Sequence, residues 1–411
     1  MKKPLSDSPT FCPAPWTQIA LNTDAEPRPC CAIYNSLGRY KDLPEYWNSK
    51  PLQEIRNAML QGKWHPACSS CEKTEKHGGI SKRHYEQYLL HEVLSDPDFV
   101  YDIDVSEHCP TQPLVAEIRF SNLCNLKCRM CNSVSSTKIA QEYKELSHPE
   151  FFYSKEPLVL QSYFEDIRSL LPSFENLRLL RLLGGEPFLD KEGFKLCKSL
   201  VESGGSRNIH LILTTNMTVL SDEWIRFLNE FQRVSLQMSL DATGSLIEYI
   251  RSGTDWKIVS ENIQKALKQI PQARFKFVPC VQAYNLLNLN DVYGYVLNLK
   301  KRFSDRDILI LPSILREPKY LQAQLLSKTL KKSARQRLED FLKDPLLSPV
   351  ELRQLQSTIS DCCESECEDY ELLRKWKDFT FALDHHRGES LATVSPQVFE
   401  FMDSINPNRT S

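Results

Sequence analysis

Three thiols within the stretch Cys124-Asn125-Leu126-Lys127-Cys128-Arg129-Met130-Cys131 constrain this chain more than any other feature. A reduced thiol is usually a small buried hydrophobe. This run is polar, however, and its cysteines are spaced by three residues and then by two. Thiolates spaced in this way wrap iron–sulfur clusters. A cubane has four irons and the loop offers three sulfurs, so one iron is left open to another ligand. An open metal position is where chemistry can take place. The alternatives are chance clustering and a zinc knuckle. Zinc wants a second pair of Cys or His at a characteristic distance downstream, and none follows Cys131 closely.

Composition narrows the setting. A chain of 411 residues fits two or three domains. Its net charge of −2, from 51 basic and 53 acidic side chains, gives no sign of a nucleic-acid-binding surface. With 41% hydrophobic residues a sizeable core can form, and no apolar run approaches the roughly 20 residues of a membrane span. The start, Met1-Lys2-Lys3-Pro4, is basic, but Ser6, Asp7 and Ser8 follow it, so a signal peptide is not expected. Fourteen cysteines without an export signal argue for metal ligation over disulfides. The expectation is a cytoplasmic, oxygen-sensitive protein without a membrane partner.

From Leu114 onward strands and helices alternate, the pattern of parallel β/α units. Strands are expected at Leu114–Phe120, Leu177–Leu183, Ile209–Thr215, Arg233–Leu240, Arg274–Gln282 and Asp307–Leu315. Helices are expected at Asn132–Glu145, Lys191–Glu202, Asp222–Phe231, Trp256–Gln269 and Leu289–Arg302. In such barrels functional groups come from the C-terminal ends of strands. The cysteine loop ends the first expected strand, and Gly184-Gly185-Glu186-Pro187 ends the second. Asn216 ends the third, and Ser239 and Asp241 end the fourth. Before the barrel, Cys12, Cys30, Cys31, Cys68 and Cys71 crowd a loop-rich segment with a short strand at Thr17–Leu21 and a helix at Leu52–Leu60. A module of this size and composition needs a metal staple. After Leu315 the chain turns helical, with segments at Leu321–Leu342 and Asp369–Leu383.

The cysteine loop and Gly184-Gly185-Glu186-Pro187 resemble two signatures of the radical S-adenosylmethionine (SAM) superfamily. The resemblance implies a 4Fe-4S cluster on Cys124, Cys128 and Cys131, whose open iron is chelated by SAM. Electron transfer then cleaves SAM to a 5′-deoxyadenosyl radical that takes hydrogen from a substrate. It further implies that the backbone of Gly184, Gly185, Glu186 and Pro187 holds the SAM ammonium. Asn216, Ser239 and Asp241 would meet ribose hydroxyls, and Arg251 the SAM carboxylate. Met130 stands where the family often has an aromatic against adenine. Read alone, Asn216 is a cap, Ser239 or Asp241 a helix start, and Arg251 a solvated cation. Cys280 reads as a buried strand thiol, with a hydrogen-atom donor as the functional alternative.

The N-terminal cysteines resemble half of a SPASM or twitch auxiliary-cluster domain, placed here before the barrel. The likeness rests on Cys12-Pro13-x-Pro15-Trp16, Pro29-Cys30-Cys31 and Cys68-x2-Cys71, followed by Glu75, Gly78, Ser81 and Arg83. It implies a second, auxiliary 4Fe-4S cluster on Cys12, Cys30, Cys68 and Cys71, with Cys31 able to replace Cys30. A structural zinc site with the same ligands is the other reading. Cys109 has no assigned role. Cys362, Cys363 and Cys367 lie among acidic residues that disfavour a third metal site. Leu383–Gly388 looks like the end of twitch-family chains, where it would either close over the barrel mouth or be a solvated helix cap. The implied fold is α/β, a partial (β/α)6 TIM-type barrel at 114–315. A cysteine-rich module at 1–90, a linker at 91–113 and a helical C-terminal extension at 316–411 surround it. The resemblance implies a peptide or protein substrate and an electron donor such as flavodoxin or ferredoxin. A small metabolite is the runner-up, RNA comes third, and a non-catalytic zinc-stapled binding protein is the alternative of another class.

Overall fold

The computed structural model describes residues 10–22, 26–33, 37–76, 80–94, 112–146, 176–365 and 369–405. Gly78, Cys109, Cys367 and most of the expected linker lie outside them. The described strands are β1 (Gln18–Leu21), β2 (Pro27–Arg28), β3 (Val115–Arg119), β4 (Lys127–Cys128), β5 (Leu179–Leu183), β6 (His210–Thr215), β7 (Arg233–Met238), β8 (Arg251–Ser252), β9 (Arg274–Phe277), β10 (Cys280–Val281), β11 (Asp307–Ile310) and β12 (Ser313–Ile314). The chain forms two compact units interleaved in sequence. The fold is α/β with mostly parallel strands, and all six expected barrel strands form, as β3, β5, β6, β7, β9 and β11.

In the first unit, β3 pairs in parallel with β5, and β5 with β6. These strands are apolar and buried along most of their length, as expected of parallel strands covered on both faces. The expected strand at Thr17–Leu21 is present and does more than decorate the N-terminal segment. It pairs in parallel with β3, Gln18 opposite Val115 and Leu21 opposite Ile118, while β2 closes the edge antiparallel to it. The helix Lys191–Glu202 begins where Asp190 accepts from the N–H groups of Glu192 and Gly193 at 2.9 and 3.1 Å, a side-chain N-cap.

A charged cluster ties the helix Lys82–Leu94 to this sheet. Arg181 donates to both carboxylate oxygens of Glu86 at 2.9 and 2.7 Å and reaches Glu117 at 3.3 Å. Lys82 adds a contact to Glu86 at 2.9 Å. Glu117 and Arg181 are register partners on β3 and β5. These four side chains form two cations against two anions, the condition under which burying charge is tolerable.

In the second unit, β7 pairs in parallel with β9 and β9 with β11. The last two expected strands are each broken once. Val278-Pro279 interrupts the fifth and Leu311-Pro312 the sixth, leaving β9 and β11 followed by the separate pair β10–β12. Proline has no N–H to give a ladder. The neighbours bridge the gap, Leu311 donating to Phe277 and Ser313 to Pro279, each at 2.8 Å. The helices Trp256–Gln269 and Leu289–Arg302 match their expected bounds. The expected helix at Asn132 starts later, at Thr137, because Ser136 caps it by accepting from the Ile139 N–H. The expected Leu321–Leu342 helix is shortened to Lys328–Glu339, where Ser327 accepts from Leu330, and 3-10 turns precede it. The helix Tyr370–Arg387 starts at the Asp369 cap and stops at Gly388, whose φ of 64° is left-handed. Ser360–Glu364, with buried Cys362, forms a π-helical turn.

Candidate active site

The cysteine loop is held by a short antiparallel pairing rather than by a helix. Cys128 on β4 lies opposite Arg251 on β8, and Lys127 opposite Ser252. Gly253 follows β8 with φ of 96°, and a Cβ there would sit 3.2 Å from the Asn125 carbonyl oxygen. The Arg129 N–H donates to Ile250 at 2.9 Å, and Cys131 N–H closes a turn onto the Cys128 carbonyl at 3.0 Å. Cys124 and Cys128 are buried with Leu126, and Met130 and Cys131 pack against them. Leu126 N–H lies 3.5 Å from the Cys124 sulfur. Burial pushes the Cys128 thiol up to about 12, while Arg251 pulls in the other direction. Such thiols ionise only when a cation takes the proton's place, so metal binding and deprotonation are one event.

Arg251 touches the loop directly. One terminal nitrogen stands 3.7 Å from the Cys128 sulfur, and its Nε donates to Asp241 at 2.8 Å. Asp241 is fully buried. Its other carboxylate oxygen accepts the Cys280 N–H at 2.8 Å, and its carbonyl accepts from the Asn285 amide at 2.8 Å. Cys128, Arg251, Asp241 and Cys280 are thus joined by consecutive contacts. Burial, reinforced by Asp241, pushes the half-buried Cys280 thiol to about 12. Asn216 donates to the Asn125 side chain at 3.2 Å, and Asn125 donates to Thr218 at 2.9 Å. The Ser239 N–H donates to the Thr215 carbonyl at 2.9 Å.

Several residues that no motif marks complete this region. Met217, after Asn216, is buried with φ of 58°, an uncommon conformation for a non-glycine residue. Its carbonyl accepts from Asn262 at 2.9 Å. Buried Arg129 and Tyr249 meet the half-buried Asp384, and Arg129 also meets the half-buried Glu389. Asp384 falls within Leu383–Gly388, the stretch similar to the end of twitch-family chains, whereas the pairing of Arg129 with it has no sequence sign.

The Gly184–Pro187 loop lies in the first unit. Gly184 has φ of 129°, and a Cβ there would stand 2.6 Å from the Ser121 carbonyl oxygen. Gly185 N–H donates to that same oxygen at 3.2 Å. Only glycine fits this cradle. Glu186 is buried and accepts from Phe188 N–H at 3.2 Å, opening the 3-10 turn Pro187–Leu189.

Also in the first unit, Cys12, Cys30, Cys68 and Cys71 line one pocket together with Ile55, Met59 and Trp64. Cys31 is not among its walls; burial and the nearby Glu117 carboxylate push its thiol up to about 11. Cys30 and Cys31 lie in a turn that the Ile33 N–H closes on the Cys30 carbonyl at 3.3 Å, and there the adjacent thiols part. Burial raises the Cys12 and Cys30 thiols and brings Cys68 to about 12, each pushed further by a neighbouring thiol. Among the described residues no three His, Cys, Asp or Glu side chains converge on a single point. A cubane places each thiolate on its own iron, and the four thiols that line this pocket match its four irons. Arg83 and Arg56 brace the walls. Arg83 grips Glu75 at 2.9 and 2.7 Å and donates to the Phe11 carbonyl at 3.1 Å. Arg56 donates to Pro15 and Trp47 carbonyls at 2.9 and 2.7 Å.

Residues 118–285, which carry the cysteine loop, match the family model of the radical SAM superfamily. Residues 118–285 form a radical SAM domain. Residues 12–72 match the SPASM model, an iron–sulfur cluster-binding domain. The radical SAM domain implies a 4Fe-4S cluster with SAM, and the SPASM domain an auxiliary iron–sulfur cluster. No curated protein matches the chain. Among solved structures, anSMEcpe with bound AdoMet is similar at 21% identity and a TM-score of 0.40, over 57% of this chain and 61% of that one. Streptococcus suis SuiB bound to S-adenosylmethionine is similar at 14% identity and a TM-score of 0.37, over 84% and 68%. The chain therefore spans about three fifths of the length of anSMEcpe. Among the described residues, no helix is long and apolar enough to cross a membrane.

Proposed function

We propose that this radical SAM protein removes a hydrogen atom from a peptide or protein substrate, with Cys124, Cys128 and Cys131 as the ligands of its SAM-cleaving cluster. The observation that carries the reading is the cysteine loop itself, buried in an apolar cluster and bordered by the Arg251–Asp241 pair. When bound, the cluster and SAM supply a 5′-deoxyadenosyl radical, and the protein supplies positioning and exclusion of water. Arg251 places a cation beside the Cys128 sulfur, offsetting part of the negative charge that thiolates bring into a buried site. Asn216 stands on the same unit as a polar partner for a nucleoside, and Asp241, fully buried between Arg251 and the Cys280 N–H, orients the Arg251 cation. Cys280 is the candidate to return a hydrogen atom. It would give up its S–H hydrogen to the substrate radical and be left as a thiyl, restored by one electron and one proton from the external reductant. Cys12, Cys30, Cys68 and Cys71 would hold the auxiliary cluster, all four of its irons capped by protein. A substrate of peptide class follows from the resemblance of this module to SPASM and twitch domains.

Anaerobically reconstituted protein given dithionite and SAM should form 5′-deoxyadenosine, and pools of synthetic peptides should raise the yield above the peptide-free control. The Cys124→Ala, Cys128→Ala, Cys131→Ala variant should form none. Undiminished product from that variant would remove the loop from the chemistry. Stimulation by amino acids or sugars and never by peptides would replace the substrate class.

A further inference from the structure

Arg129 stands between two of the three loop cysteines, and its side chain leaves the loop to be gripped from the far end of the chain. The residue is buried. Its Nη2 donates to Asp384 and to Glu389, both at 2.6 Å. Its Nε donates to the Tyr249 carbonyl at 3.1 Å. The guanidinium lies 3.7 Å from the centroid of the Tyr249 ring and 5.7 Å from that of Tyr284, within cation–π range. The grip is itself fixed. Tyr249 hydroxyl donates to Asp384 at 2.9 Å, and Leu391 N–H donates to the other Asp384 oxygen at 2.9 Å. Gly388 turns the chain so that Glu389 faces back toward the same guanidinium.

A second contact runs beside the first. Arg387 donates to both oxygens of Glu142, at 2.8 and 2.6 Å, and Lys127 of the same loop donates to Glu142 at 2.9 Å. Arg129, Arg387 and Lys127 face Asp384, Glu389 and Glu142, three cations against three anions. The helix end at Asp384–Glu389 thereby holds the cysteine loop on either side of Cys128. Packing alone would not need so many directed contacts, since a planar fork with two acceptors fixes orientation as well as position.

We propose that Arg129 is a positioning residue for the cluster loop, and that the C-terminal segment Asp384–Glu389 is part of the radical SAM site because it sets the spacing of the loop thiols. The inference rests on the assignment of Cys124, Cys128 and Cys131 as cluster ligands. Its mechanical content is simple. The Arg129 N–H is fixed to Ile250, and the side chain is fixed to Asp384 and Glu389. The backbone between Cys128 and Cys131 therefore has little freedom before any iron arrives, and cluster assembly orders no loop.

The test compares the full-length protein with Arg129→Lys, Asp384→Asn with Glu389→Gln, and Arg129→Met with Asp384→Asn and Glu389→Gln. The last variant removes Arg129 together with both of its acidic partners, which guards against misfolding from one unpaired ion; Arg387, Lys127 and Glu142 are kept. Apo-protein hydrogen exchange over residues 126–131 should speed at least about tenfold in the double variant, and by less in Arg129→Lys, which keeps a cation facing Asp384 and Glu389. In protein reconstituted to equal iron content, the change that SAM induces in the electron paramagnetic resonance signal of the reduced cluster should be weakened or lost in the same order. A merely structural role would lower yield or melting temperature and leave the signal of the folded fraction unchanged. Unaltered exchange and an unaltered SAM-induced signal in all three variants would overturn the proposal while leaving the cluster assignment intact. Wild-type protein that retains no SAM-responsive cluster would overturn the assignment and the proposal together.

Discussion

At the residue scale, the chain places its least replaceable groups where backbone or charge leaves one option. Gly184 is held at a left-handed φ with the Ser121 carbonyl 2.6 Å from where a Cβ would be. Alanine there must both adopt a disfavoured conformation and displace a backbone oxygen. Gly184→Ala should therefore cost on the order of 1–3 kcal/mol, read as a lowered melting temperature. Gly204, where a Cβ would meet nothing, is the control for conformation alone. Part of this scale could be read directly from sequence. The cysteine spacing and the Gly184–Pro187 run are contiguous, so their chemistry declares itself locally. Arg129 and Asp384 are separated by 255 positions, and no local pattern connects them. Arg251 and Asp241 were each expected to meet SAM; in the protein without ligands they meet each other.

At the scale of elements, caps and prolines decide the bounds that hydrophobic period leaves loose. The helix at Asn132 starts five residues late because Ser136 supplies the cap, and two strands break where Pro279 and Pro312 withdraw an N–H. The helices at 191–202, 256–269 and 289–302 were legible because apolar period, cap and end signal agree. What no periodicity reveals is the attachment of Lys82–Leu94 to the sheet through Arg181. Removing one partner of a buried ion group leaves the other uncompensated, at about 3–5 kcal/mol. Glu86→Gln should therefore destabilise strongly in thermal unfolding. Adding Arg181→Met to it should recover part of that loss, and purely additive losses would show that the pair is not coupled.

At the scale of the whole molecule, two cysteine sets imply two clusters. Fully reconstituted protein should approach roughly eight irons per chain, and Cys68→Ala with Cys71→Ala should fall toward roughly four. Substrate turnover should be lost in that variant while uncoupled SAM cleavage persists. Zinc in place of iron in the anaerobic full-length protein would make the N-terminal pocket a structural staple. The pairing of β1 with β3 has a further consequence, for the order in which the protein is made. Cys12 leads into β1, and β1 leaves the ribosome long before the strand it lies beside, with Gln18 waiting for Val115. Pairing across so long a separation is slow. During synthesis, then, the pocket formed by the first cysteines cannot settle until the barrel has begun, and iron delivered to the nascent N-terminus would find its ligands without their frame.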